Sequence, residues 1–185
     1  MKFTSIVTAS LALLAPTALA APKTNTNSSC CRKDLNSNEY HKELSTKYLN
    51  MWSGDLTIAE TILHPDLVMY ADRLPSANGS DLIRVTSRNE FVAFIQKSRT
   101  GWQKYWFDMI HWVGTGDKLA MRWKMNGLVG ENMPIPTTLD PGAYVTYNGT
   151  DFVVLDDCTG QIKEINMAQD FIAFFHELGI KGVMV

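Results

Sequence analysis

The chain has 185 residues, with 17 Lys or Arg against 19 Asp or Glu and a formal net charge of −2. That near-balance, without a basic stripe, argues against a nucleic-acid-binding surface. A hydrophobic fraction of 45% over this length suffices for one ordinary domain that buries a core without a metal to hold it.

Residues 1–20 differ from the rest. Lys2, an apolar run from Ile6 to Leu14 and the small-residue signal Ala18-Leu19-Ala20 have the order of a secretory signal peptide, and the run is too short to span a bilayer of roughly 30 Å. The expected mature chain starts near Ala21, is secreted, and has no further membrane segment. Loss of Lys2 leaves 16 basic against 19 acidic residues, a formal charge near −3. Residues 21–36, rich in Thr, Asn, Ser and Lys, carry too little apolar surface to pack and read as a flexible arm. The folded domain is expected over 37–185.

Three cysteines, Cys30, Cys31 and Cys158, are disulfide candidates in an oxidising compartment; the adjacency of the first two leaves the partner of Cys158 open, and an odd thiol remains. Asn27, Asn78 and Asn148 each head an Asn-x-Ser/Thr tripeptide, the N-glycosylation pattern of a secreted eukaryotic chain.

From Asn36 to Trp52 the residues Tyr40, Leu44, Tyr48, Met51 and Trp52 recur at helical spacing, with Asn36 and Glu39 placed as a cap and its partner. Asp55 can cap a second, short helix that Pro65 closes. A short strand is expected over 67–71. Ser87 and Glu90 have capping-box spacing ahead of Phe91, Phe94 and Ile95, so a third helix begins near Arg88 and stops by Gly101. Beyond Trp102, alternating runs predict strands near 103–113, 118–129, 143–155 and 161–168, separated by Gly/Asp turns and a Pro-rich loop over 131–142. A last apolar helical stripe holds Phe171, Phe174, Phe175 and Leu178. Helices first and a meander after them predict an α+β domain.

Strand parity picks out candidate site residues. His111 would share a face with Tyr105, Phe107, Met109 and Val113, as a pocket donor or proton relay, or as a histidine satisfied locally. Asp108 falls on the opposite face. Trp123 alternates with Leu119, Met121 and Met125 in a row suited to core or binding surface. Ile162, Glu164, Asn166, Ala168 and Asp170 form one polar face of the final strand. Asp170 also stands where an N-cap belongs, and capping alone is reason for an Asp there. No paired metal-site spacing, phosphate-binding glycine loop or nucleophile elbow occurs, so no metal or organic cofactor is expected.

The blocks Gly116-Asp117-Lys118-Leu119-Ala120-Met121-Arg122-Trp123, Gly160-Gln161-Ile162-Lys163-Glu164-Ile165 and Asp170-Phe171-Ile172, in that order and spacing, resemble the SnoaL-like polyketide cyclases of the nuclear transport factor two-like superfamily, over residues 39–180. The resemblance implies a cone: a curved antiparallel sheet wrapped around N-terminal helices, with a pocket at its open end. It implies an acid/base cyclase, isomerase or dehydratase acting on a small apolar carbonyl compound, with Asp170 matching the family's acidic residue and Tyr70 and Asp72 at the pocket rim. A non-catalytic secreted protein that binds a small ligand in the cone, or forms a homodimer through its outer sheet face, is the competing reading. The leader, Asn166 in place of a common aromatic residue, and the Pro-rich loop are departures from the family pattern.

Overall fold

The computed structural model describes residues 34–76 and 79–181, with the backbone alone for 74–76 and 79–80. The leader, most of the arm, Cys30, Cys31, Asn27 and Asn78 lie outside the described residues.

Helix α1 (Asn38–Trp52) is capped one residue later than its spacing predicts: the Ser37 hydroxyl, not Asn36, accepts the Tyr40 amide. Its buried stripe, including Leu44, Tyr48, Met51 and Trp52, faces the sheet, and each large side chain so removed from water contributes roughly 1.5–3 kcal/mol. A 3₁₀ turn (Leu56–Ile58) leads into the single-turn α2 (Ala59–Ile62). Helix α3 (Arg88–Ser98) buries Phe91 and Ile95. The Ser87 hydroxyl accepts the Glu90 amide as the capping box requires, but the Glu90 carboxylate bonds the Thr86 amide and hydroxyl instead of reaching back to Ser87. Those bonds hold the Glu90 carboxyl below its ordinary range. Helix α4 (Phe171–Glu177) ends the described chain's regular structure.

The strands are β1 (Leu63–Ala71), β2 (Leu74–Ser76), β3 (Gly79–Asp81), β4 (Arg84–Val85), β5 (Trp102–Thr115), β6 (Lys118–Val129), β7 (Tyr144–Leu155) and β8 (Ile162–Gln169). Six of them form one sheet in the order β4-β1-β8-β7-β6-β5, while β2 and β3 make a separate hairpin. Every neighbouring pair in the large sheet is antiparallel except β1 and β8. The expected strand 67–71 is thus longer and lies parallel to the last strand. Its register with β8 jumps between Leu63 and Val68, where Pro65 has no amide to donate to a ladder.

Helices α1 and α3 pack on the inner face of the sheet, against β5 and β1 respectively. Two bulges decide which side chains point there. The β5–β6 register shifts between Met109 and His111, so Ile110 is an extra residue and the parity inverts beyond it. Tyr105, Phe107 and Met109 pair with residues of the inner row, whereas His111 pairs with Arg122 on the outer face. The predicted shared face of His111 with Tyr105, Phe107 and Met109 is therefore corrected, and Asp108 and His111 look outward together. On β8 the shift falls between Ile162 and Glu164. Ile162, Ile165 and Met167 are buried, while Glu164, Asn166 and Ala168 face out.

Candidate functional site

Strand β7 alternates strictly, with Val145, Tyr147, Gly149, Asp151, Val153 and Leu155 all buried. Asp151 is the acidic member of that inward row. Its cross-strand neighbours are Met121 on β6 and Met167 on β8, so the sheet supplies apolar walls on both sides. From the helix side, the hydroxyl of Tyr48 on α1 donates to Asp151 Oδ2 at 2.7 Å. Both residues are 0% exposed. Among the described residues, no hydrogen bond reaches Asp151 Oδ1 or the buried indole nitrogen of Trp52.

This setting raises the Asp151 carboxyl from the ordinary carboxylate range to about 7, because burial disfavours the charged form; the Tyr48 hydroxyl and the nearby Trp123 indole pull against that only in part. The Tyr48 phenol is pushed well upward, first by burial and then by the Asp151 charge. Tyr48 is therefore a firm donor and Asp151 a group that can gain or lose a proton near neutrality.

Aromatic rings line the space between the sheet and the helices. Trp52 stands edge-on to Phe91 at 5.6 Å, and Phe107 stands edge-on to Trp123 at 5.0 Å. Trp123 meets Tyr147 at 5.7 Å, and Tyr147 meets Phe174 of α4 at 4.7 Å. Gly149 makes the approach of Trp123 feasible: a Cβ there would sit 2.2 Å from Trp123 Cζ2. The Tyr147 hydroxyl donates to Gln169 Oε1 at 2.8 Å, at the end of β8. These rings and Asp151 lie on the inner face of the sheet.

The candidate residues named from sequence divide among three places. Trp123, 2% exposed, lies in the interior beside Asp151. Tyr70, Asp72 and Asn166 come together, with Phe152 and Thr150, around a solvent-open hollow of about 370 Å³ on the outer sheet face; Asp72 Oδ2 there accepts the Gln169 amide at 2.9 Å. His111 lines a second outer hollow of about 220 Å³, with Arg122 and Thr150, and Arg122 donates to the Thr150 hydroxyl at 3.1 Å. Asp170 is exposed at the start of α4, where its Oδ1 accepts the Ala173 amide at 2.9 Å. Asn148 is half-buried on the outer face in the middle of β7. Cys158 lies in the turn from β7 to β8, its amide bonded to Asp156 Oδ1 at 3.1 Å. Among the described residues, no three His, Cys, Asp or Glu side chains gather as a metal site, and no helix is long and apolar enough to cross a membrane.

Sequence reasoning passed over Asp151 and Tyr48. The signal was present as parity: a lone Asp within the row Val145, Tyr147, Gly149, Val153 and Leu155 must face a core.

Solved structures share this architecture. IdmH from Streptomyces antibioticus, a proposed polyketide cyclase, superposes with a TM-score of 0.63 at 17% identity over 76% of this chain and 99% of its own. A proposed SnoaL-like polyketide cyclase from Jannaschia sp. CCS1 gives 0.61 at 15% over 82% and 98%. The phenazine biosynthesis-related protein PhzB2 from Pseudomonas aeruginosa gives 0.59 at 17% over 80% and 90%. At such identities the likeness is one of fold alone. No curated protein sequence matches the chain. The family model of the SnoaL-like domain does match, over residues 46–165, which takes in the second half of α1 with Tyr48 and all of β7 with Asp151. The chain belongs to the SnoaL-like family.

Proposed function

We propose that this protein is a secreted, cofactor-independent acid/base enzyme, a cyclase, isomerase or dehydratase of a small apolar carbonyl compound, with Asp151 as its proton carrier. The observation that carries the proposal is the fully buried Asp151 carboxyl, held by Tyr48 among aromatic rings and raised to about 7. A carboxyl poised there is half carboxylate at neutral pH, which suits it to take a proton from the carbon beside a carbonyl and to return it to carbon or oxygen. Tyr48 holds Oδ2 and leaves Oδ1 for the transfer. The polyketide cyclase names of the neighbours agree with chemistry of this kind, and the leader supports secretion.

Asp170, the position matched by resemblance, is a weaker carrier, since it stands in solvent and caps α4. Comparative metabolite profiling of the producing organism separates the two. With the gene deleted or carrying Asp151→Asn, one common precursor accumulates, while Asp170→Asn behaves as intact. If Asp151→Asn behaves as intact although the protein is secreted and folded, the assignment fails.

A second reading has its own observation. Tyr70, Val113 and Phe152 are 39%, 68% and 41% exposed, and all three stand on the outer face of one sheet, which fits a non-catalytic, self-associating protein. Sedimentation then gives a dimer that Val113→Lys dissociates. A glycan found on Asn148 by intact mass would stand on that face and exclude such pairing.

A further inference from the structure

Two buried polar atoms around Tyr48 have no hydrogen-bond partner among the described residues: Asp151 Oδ1 and the indole nitrogen of Trp52. Trp52 is 4% exposed and Asp151 0%. Such groups are rare in folded proteins, because each buried donor or acceptor left unpaired costs about 1–3 kcal/mol. Both border the same hydroxyl. Tyr48 donates to Asp151 Oδ2 at 2.7 Å. Burial raises the Tyr48 phenol, and the Trp52 indole stands near enough to pull it part of the way back, although it makes no hydrogen bond there.

The two atoms are complementary in kind. An indole nitrogen only donates, and a carboxylate oxygen only accepts. One hydroxyl satisfies both, giving its proton to Oδ1 and accepting the indole N–H on its oxygen; a carbonyl satisfies the indole alone. The surroundings suit a flat apolar ligand. Trp52 stands edge-on to Phe91 at 5.6 Å and to Phe94 at 6.0 Å, and it meets Phe107 at 5.6 Å. Phe94 and Phe107 are only partly buried, so the ring-lined interior reaches the surface next to Trp52.

We infer that Trp52 Nε1 and Asp151 Oδ1 form one oxygen-binding subsite, and that it takes the hydroxyl of an enol or phenol on a flat apolar skeleton. A ligand without that hydroxyl leaves both atoms unpaired, which is the source of selectivity. Trp52 keeps its proton throughout and holds the ligand oxygen. In an enol–ketone interconversion Asp151 takes the O–H proton, the pair of that bond becomes part of the carbonyl, and the C=C pair receives the same proton at carbon from Asp151. The subsite rests on the acid/base reading only for that transfer, and its test uses no turnover.

The probes are phenol and toluene, which match in size and differ by a hydroxyl in place of a methyl. The indole N–H signals of the five tryptophans are followed by nitrogen-15 NMR of the whole chain at about pH 8, where Asp151 is mainly carboxylate. The Trp52 signal is identified by its contacts with Phe91 and Phe94. Phenol is expected to move the Trp52 proton signal downfield by more than any other indole, and to bind at least about tenfold more tightly than toluene. Replacing Trp52 by 3-benzothienylalanine, which keeps the shape of the side chain and lacks the N–H, is expected to remove most of that preference. Trp52→Phe serves in its place if the analogue does not fold. An unmoved Trp52 signal, equal binding of phenol and toluene, or a preference that persists without the indole N–H would each overturn the subsite. Asp151→Asn retains an oxygen acceptor and is expected to retain phenol binding, so failure of the acid/base reading is seen separately, in the metabolite profile of that variant.

Discussion

The Tyr48 hydroxyl and the Asp151 carboxylate are bonded at 2.7 Å across 103 positions of sequence, joining the first helix to the middle of the sheet inside the ring-lined core. Neither is exposed, so the pair ties proton chemistry to the stability of the fold. A carboxyl raised in the folded state is a measurable liability as pH rises.

Between the unfolded pKa near 4 and the folded value of about 7, the native chain keeps a proton on Asp151 that the unfolded chain has released. This contribution to stability is complete below pH ~4, is lost as pH rises through the window at about 1.4 kcal/mol per pH unit, and levels off above the folded pKa. Urea unfolding across this range is expected to show that slope in the wild type relative to Asp151→Asn. Parallel curves for the two proteins would contradict the assignment.

Tyr48→Phe removes the hydroxyl that holds Asp151 Oδ2 and partly offsets burial. The Asp151 carboxyl is expected to titrate higher still, as read by carbon-13 NMR, with a loss of about 1–3 kcal/mol for the broken buried bond. An unchanged titration would mean that Tyr48 does not control this proton.

Gly149→Ala places a methyl group 2.2 Å from the Trp123 ring. Trp123 must shift, with an expected loss of about 1–3 kcal/mol from overpacking, and its near-ultraviolet circular dichroism changes with it. A variant that melts like the wild type would show that Trp123 is not packed against β7.

Asp170→Ala removes the acceptor of the Ala173 amide and is expected to cost about 1 kcal/mol. Asp170→Asn retains a capping side chain and should melt within a few tenths of a kcal/mol of the wild type. Thermal melts of the two variants check the cap independently of any role in chemistry.

Cys158 is expected to be joined to Cys30 or Cys31 under oxidising conditions, tying the arm to the β7–β8 turn. Non-reducing peptide mapping should recover one cross-linked pair. Such a link closes a loop of more than a hundred residues and adds about 4–5 kcal/mol by the chain-entropy estimate, so reduction should lower the melting temperature. Recovery of Cys158 as a free thiol would remove the tether.

The helices were legible because their apolar residues recur at i, i+3 and i+4 and because Ser87 and Asp170 mark the starts of α3 and α4, whereas α1 starts at Ser37 and not at the expected Asn36. The strands were legible because they alternate, and their boundaries on β6 and β7 fell close to those expected. What parity could not carry was the sense of each face. One extra residue at Ile110 moves His111 outward, and a similar irregularity at Lys163 separates Ile162 from Glu164 and Asn166. Bulges have no reliable local signature, since they are fixed by the pairing of whole strands. Asp151 was readable only where the alternation is unbroken, as it is in β7. Asp170 drew notice because it stands at a junction, where a cap and a catalytic acid look alike in sequence.

The parallel pairing of β1 with β8 sets the order in which the protein can be made. The chain emerges from the ribosome with β1 early, and β1 takes its place between β4 and β8. Its Leu63 must wait for Ile162, 99 positions further along the chain (162 − 63). Until the last strand is synthesised, one long edge of β1 has nothing to pair with, and such unpaired edges invite association with other chains. The pairing of β1 is therefore complete only once β8 has been made, and a chain truncated before β8 should aggregate rather than form a smaller version of the same domain.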